Sequence, residues 1–190
     1  MYKRQDAFEK ELNELGSLRA KADAIRTRLA KSINTKYQEN PAYYENFSKR
    51  IKEALELYKA RTITEAEYLA KMRDILEDYR TGKSAIAYPN RIRANVHAQA
   101  FYGVLTAIFS NEKLSVEPDF AAEMALDITT IIEKHSQVDW THNLTIHDRI
   151  SQDIDDLFYR YQKEMGLVLS FDVIDMIIEN VKTVALRRFA

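Results

Sequence analysis

Apolar residues recur along this chain at steps of three and four, the spacing that lines one face of an α-helix. In the opening segment Leu15, Leu18, Ala22, Ile25 and Leu29 form one such stripe and predict a long first helix. "ENPAYYENF" interrupts it. Pro41 pushes the residue before it out of helical geometry and itself suits the first turn of a new helix. Tyr44, Phe47, Ile51, Leu55 and Tyr58 stripe that second helix. Thr64, three residues ahead of Glu67, reads as a capping box for a third, carried by Tyr68, Met72, Ile75 and Tyr79. The short connection predicts an antiparallel hairpin.

"RTGKSAIAYPN" is the main candidate boundary, with Gly82 suited to a helix C-terminus and Pro89 to a restart. A fourth helix is expected over roughly Arg91 to Phe109. Glu117-Pro118-Asp119 opens a fifth that runs to His135, and "SQVDWTHN" is a second loop. Ile150, Ile154, Leu157, Tyr161 and Met165 stripe a sixth from Ile146 to Met165. Ser170 caps a seventh, ending in Arg187 and Arg188 where cations suit the C-terminal dipole. The expectation is an all-α protein of about seven helices in two packed units. Residues 1–81 hold a long helix plus a helical hairpin, and residues 82–190 a C-terminal helical bundle.

Composition fits this picture. The chain is 46% apolar and 30% charged, and four glycines and three prolines are too few for a turn-rich sheet fold. The absence of cysteine removes disulfides and thiolate zinc sites and fits a reducing cytoplasm. No segment approaches ~18 uninterrupted apolar residues, so no membrane partner is expected. Acids spread through "MYKRQDAFEKELNELG" argue against a signal peptide.

Charge is unevenly divided. Residues 1–36 carry nine bases against five acids, residues 79–111 four bases and no acid, and residues 112–164 twelve acids against five bases. Such asymmetry concerns partners more than fold.

The search for chemistry is short. Gly82-Lys83-Ser84 ends like a phosphate-binding loop, but Glu77 stands where the first glycine belongs and the lead-in is helical rather than a strand. His97, His135, His142 and His147 lack the spacing of three or four that zinc pairs on a helix require. Asp148, Asp153, Asp155 and Asp156 could form a magnesium cluster, but the apolar stripe beside them marks a solvated face. No serine elbow occurs, and Pro118-Asp119 has no downstream acid-x-lysine to complete a nuclease core. No catalytic residue, metal or cofactor is expected.

Two interaction signals remain. Arg19, Lys21, Arg26, Arg28, Lys31 and Lys36 stud the first helix against Asp23 alone, a pattern suited to phosphates or to a solvated face. In "AYPNRIRANVHAQAFYG", Arg91, Arg93, Asn95, His97 and Gln99 meet no acid. That stretch, like Lys83, could touch a nucleic-acid backbone, or it could be a core helix with a polar first turn. Trp140, the only tryptophan, either anchors an interface or closes a helix junction.

The stretch "RLAKSINTKYQENPAYYENFSKRIKEALELYKARTITEAEYLAKM" resembles the helical region that follows the motor domains in the R subunit of type I restriction–modification enzymes. "AQAFYGVL", "IIEKHSQVDWTHN" and "RISQDIDDLFY" are similar to that family's C-terminal part, and the similarity runs from about Leu29 to Tyr161. The resemblance implies a non-catalytic assembly domain of an ATP-dependent DNA translocase and endonuclease. Its implied partners are the methyltransferase and specificity subunits and the motor domains of the same subunit, and it raises contact with double-stranded DNA. It supplies no catalytic residue; Val138, Asp139 and Trp140, with Thr141 and Asn143, are matching positions that become candidates for assembly. A free-standing nucleic-acid-binding bundle and a magnesium-dependent hydrolase are the rival readings.

Overall fold

The structure is a computed structural model that describes residues 2–83, 86–137 and 139–190, with side chains from Ala7 onward. Among these residues the fold is all-α, with eight α-helices and no strand. The chain forms two compact units, Met1–Tyr37 with Tyr44–Ile86, and Gln38–Tyr43 with Ala87–Ala190.

In the first unit, the long helix expected across Leu15 is two helices, α1 (Tyr2–Glu14) and α2 (Leu18–Lys36). The cause is local. Ser17 adopts extended backbone, and its hydroxyl accepts the Ala20 N–H at 3.0 Å, capping a new helix. A three-four stripe cannot reveal such a break, because the apolar spacing continues through it. Phe8 and Leu12 are buried on α1, and Ala22, Ile25, Leu29 and Ile33 on α2.

The expected hairpin is present as α3 (Pro41–Lys59) and α4 (Glu65–Thr81). Thr64 and Glu67 make the capping box: the Glu67 carboxylate accepts the Thr64 N–H at 2.7 Å, and the Thr64 hydroxyl accepts the Glu67 N–H at 3.2 Å. Tyr58 stacks on Tyr68 near the turn, with ring centres 4.8 Å apart, while Phe47 meets Tyr79 edge-on at 5.4 Å near the other end. Such nested pairing is the antiparallel register. Arg50 adds an ion pair to Asp78. α2 packs on α4, where the Ser32 and Tyr79 hydroxyls share a hydrogen bond of 2.6 Å.

The second unit is a four-helix bundle of α5 (Val96–Asn111), α6 (Pro118–His135), α7 (Leu144–Met165) and α8 (Phe171–Arg188). Each helix packs on the next, and α8 returns to α5, closing the ring. α5 is apolar nearly all round, with nine residues from Ala98 to Phe109 buried, as a central helix requires. Burial of each large aliphatic or aromatic side chain in such a core contributes about 1.5–3 kcal/mol.

α5 starts at Val96 rather than Arg91. Asn95 is extended, and its side-chain oxygen accepts the N–H groups of His97 and Ala98 at 3.1 and 2.9 Å. Arg91 lies instead in a single 3-10 turn, Asn90–Ile92. Asn143 likewise caps α7 two residues earlier than the stripe suggested. Ser170 caps α8 as expected.

Residues 38–43 group with this bundle. Asn40 is buried there, and a Cβ added to Gly103 would stand 2.6 Å from the Ala42 Cβ. Glycine in mid-helix normally costs stability relative to alanine. Here it admits the Ala42 methyl group against α5.

Candidate interaction surfaces

The basic residues of α2 do not share one face. At about 100° per residue, Arg19 and Arg26 flank one side of the buried stripe, Lys21 and Arg28 the other, and Lys31 points away from it. Asp23 engages the first pair, 3.7 Å from Arg19 and 3.3 Å from Arg26. The Arg28 guanidinium lies over the Phe8 ring at 4.1 Å. Lys31 and Lys36 are exposed. A phosphate backbone lying along this helix would therefore meet two separated pairs, one of them already shared with an acid.

Lys83 is exposed just beyond Gly82, which has the left-handed φ of 72°. The Lys83 amide donates to the Asp78 carbonyl at 2.9 Å. That amide terminates α4, so it does not cradle phosphate. Ser84 lies outside the described residues.

Around residues 90–99 the polar side chains are mostly turned to structural use. Arg91 pairs with Glu123 at 2.8 Å. Gln99 donates to the carbonyls of Ile92 and Arg93, tying the turn to α5. Arg93 keeps an exposed side chain.

Val138 lies outside the described residues, and Asp139 is exposed with a left-handed φ of 62°. Trp140 is 3% exposed. Its indole N–H donates to the Phe189 carbonyl at 3.0 Å, and its ring meets His147 edge-on. The indole is thus spent inside the bundle, where a partner cannot reach it.

The histidines take separate tasks. His147 bonds the Trp140 carbonyl at 3.1 Å, His135 bonds Asp153 at 2.8 Å, and His142 is exposed. Among the described residues no group of three or more His, Asp or Glu could hold a metal ion. Asp153 also accepts from Lys134 at 2.8 Å. These hydrogen bonds, Lys134 first and His135 next, hold the Asp153 carboxyl below its usual range. Asp127 on α6 accepts from the Tyr161 hydroxyl at 2.8 Å and Arg160 at 3.1 Å. Burial, then the bond to Asp127, raises the Tyr161 hydroxyl well above its ordinary value. The acids of α6 and α7 thus act as cross-helix clasps, while Asp148, Asp155 and Asp156 remain exposed.

Two features escaped sequence reading. The first is a latch at the end of α8. Arg188 donates to the Val96 carbonyl, the Glu39 carbonyl and His97 Nδ1 at 3.0, 3.0 and 3.3 Å, and Arg187 donates to Gln38 at 2.8 Å. Because arginine only donates, Nδ1 of His97 must be the unprotonated nitrogen. Burial, then the Arg188 charge, lowers the His97 pKa. The dipeptide "RR" signalled only a helix end, since its acceptors lie about 90 and 150 residues away.

The second is an apolar knuckle between α7 and α8. Met165, Val168 and Phe171 are 56%, 83% and 84% exposed, whereas Leu167 and Leu169 between them turn inward. A signal did exist, since "MGLVLSF" holds more apolar residues than one inward face can absorb.

Residues 5–185 match the family "Type I restriction enzyme HindI endonuclease subunit-like, C-terminal". The chain belongs to that family. It is also similar to the type I restriction enzyme HindI endonuclease subunit of Haemophilus influenzae, 25% identical over 127 residues. That match covers 67% of this chain and 12% of the subunit. No solved structure matches. The restriction-subunit resemblance read from about Leu29 to Tyr161 is therefore correct, and the family match runs further at both ends, over residues 5–185. Among the described residues of this family member no helix is long and apolar enough to cross a membrane.

Proposed function

We propose that this chain is a non-catalytic docking domain of a type I restriction endonuclease subunit. It holds the DNA translocase and nuclease portion of that subunit against the methyltransferase and specificity subunits, in the cytoplasm. The observation that carries this reading is the apolar knuckle, because soluble bundles bury such side chains unless something else covers them. Support comes from the charged residues offered for catalysis, of which Asp153, His135 and His147 are committed to internal hydrogen bonds. Family membership supplies the kind of complex.

The test is direct. The chain is mixed with purified methyltransferase and specificity subunits, and complex formation is followed by sedimentation velocity. A stable complex is expected; its absence at tens of micromolar sinks the reading. Exposed Arg28, Lys31, Lys83 and Arg93 favour a secondary role beside double-stranded DNA. Affinity for a duplex should then fall steeply between ~50 and ~200 mM salt, and a salt-independent affinity would remove that role.

A further inference from the structure

The knuckle presents more than apolar surface. At about 100° per residue, the outer arc of α8 runs Phe171, Asp175, Asp172, Met176, so two carboxylates sit between two apolar side chains. Met176 is 39% exposed, and Val168 and Met165 extend the apolar edge. Neither the Asp172 nor the Asp175 carboxylate has a hydrogen-bond or ion-pair partner among the described residues. By contrast, Glu179 one turn further on is paired with Lys182 at 2.9 Å.

The turn beneath is held in place. Gly166 takes the left-handed φ of 69° and donates to the Tyr161 carbonyl. The Gln162 side chain donates to the Leu169 carbonyl at 2.8 Å, and Ser170 caps α8. Leu167 and Leu169 anchor the loop to the core on either side of Val168. The exposed side chains therefore stand on a pre-organised platform, which lowers the ordering cost of binding.

We infer that the knuckle formed by Met165, Val168, Phe171 and Met176 around Asp172 and Asp175 receives a basic amphipathic helix from a protein partner. Apolar side chains of that helix cover Phe171 and Val168, and its lysines or arginines meet the two carboxylates. The inference rests on the docking reading and adds the chemistry of what docks. An acidic or purely apolar partner would leave two carboxylates repelled or stripped of water without compensation.

The probe is a synthetic helical peptide of leucine and lysine in amphipathic spacing, with its leucine–glutamate counterpart as control. Both are titrated by fluorescence anisotropy against the 190-residue chain. The lysine peptide should bind, with affinity falling as salt rises. Phe171→Ser combined with Val168→Ser should weaken it at least tenfold, and Asp172→Lys with Asp175→Lys should weaken it and flatten the salt dependence. Melting curves identify any variant that has lost its fold, and the two pairs of substitutions serve as independent checks. Equal binding of the glutamate peptide, or affinity within twofold in both double variants, overturns the inference. So does a dimer of the chain that Phe171→Ser separates, which would make a second copy the occupant.

The same variants then enter the assembly experiment. If the unaltered chain fails to join the methyltransferase and specificity subunits, the docking reading falls. If Val168→Ser with Phe171→Ser joins as well as the unaltered chain, docking stands and the knuckle is not its surface.

Discussion

Between α6 and α7 the chain turns its largest apolar ring inward; between α7 and α8 it turns three apolar side chains out. The inward turn can bury Trp140 because the indole N–H finds an acceptor in the Phe189 carbonyl, so no polar group is stranded. The outward turn has no room for all its apolar residues. Leu167 and Leu169 take the inner positions, and Val168 between them is left facing water. Hydrophobicity alone therefore does not say which turn binds something. What decides is whether the side chain's direction and polar atoms can be satisfied within the bundle.

The most severe way to test the contrast is Trp140→Ala. It removes a buried ring and its hydrogen bond, and should cost about 3–5 kcal/mol in chemical denaturation. A loss below ~1 kcal/mol would mean that the inward turn is not structural. Arg188→Met should come next, at about 1–3 kcal/mol, since it strands the part-buried Glu39 carbonyl and His97 Nδ1. Amide exchange should quicken across residues 38–43 and 95–98 in that variant, and unchanged exchange would count against the latch.

A smaller effect follows from pH. Burial and Arg188 keep the His97 pKa lowered, so the unfolded chain binds a proton first as pH falls. The stability contributed by neutral His97 is complete above the unfolded value of about 6.5, and it is lost as pH drops through the folded value. Stability should decline as pH falls below about 6.5, and His97→Gln should shallow that decline. Equal slopes in the two proteins would show that His97 is not the group responsible. Phe171→Ser should have the least effect on the isolated chain, within about 0.5 kcal/mol. A larger loss would mean that the outward turn also supports the fold.

Much of the fold was legible because the helices follow the stripe spacing closely and their caps are local. Thr64 with Glu67, Gly82 and Ser170 each act within four residues of themselves. The break at Ser17 was hidden because apolar spacing continues through it, and the α5 start was hidden because Arg91 to Ala94 offer no apolar contradiction to a helix. The sites were less legible. On α2 a list of cations looks like one face until their angles are compared. Trp140 could anchor a partner or a core, and only the acceptor at Phe189 chooses between them. The latch joins residues far apart in sequence, so no local pattern announces it.

The approach of Ala42 to Gly103 also determines how the molecule can be cut. A clone beginning at residue 82 would encode all four bundle helices, yet it would lack Asn40 and Ala42. It would also leave Arg187 without Gln38 and Arg188 without the Glu39 carbonyl. Because residues 38–43 run into the first turn of α3, ahead of the rest of the hairpin in the gene, no single contiguous coding segment yields this bundle complete without the hairpin as well. Expression clones and deletion maps drawn at the obvious glycine would report the damage of the cut as though it were the phenotype of the missing half.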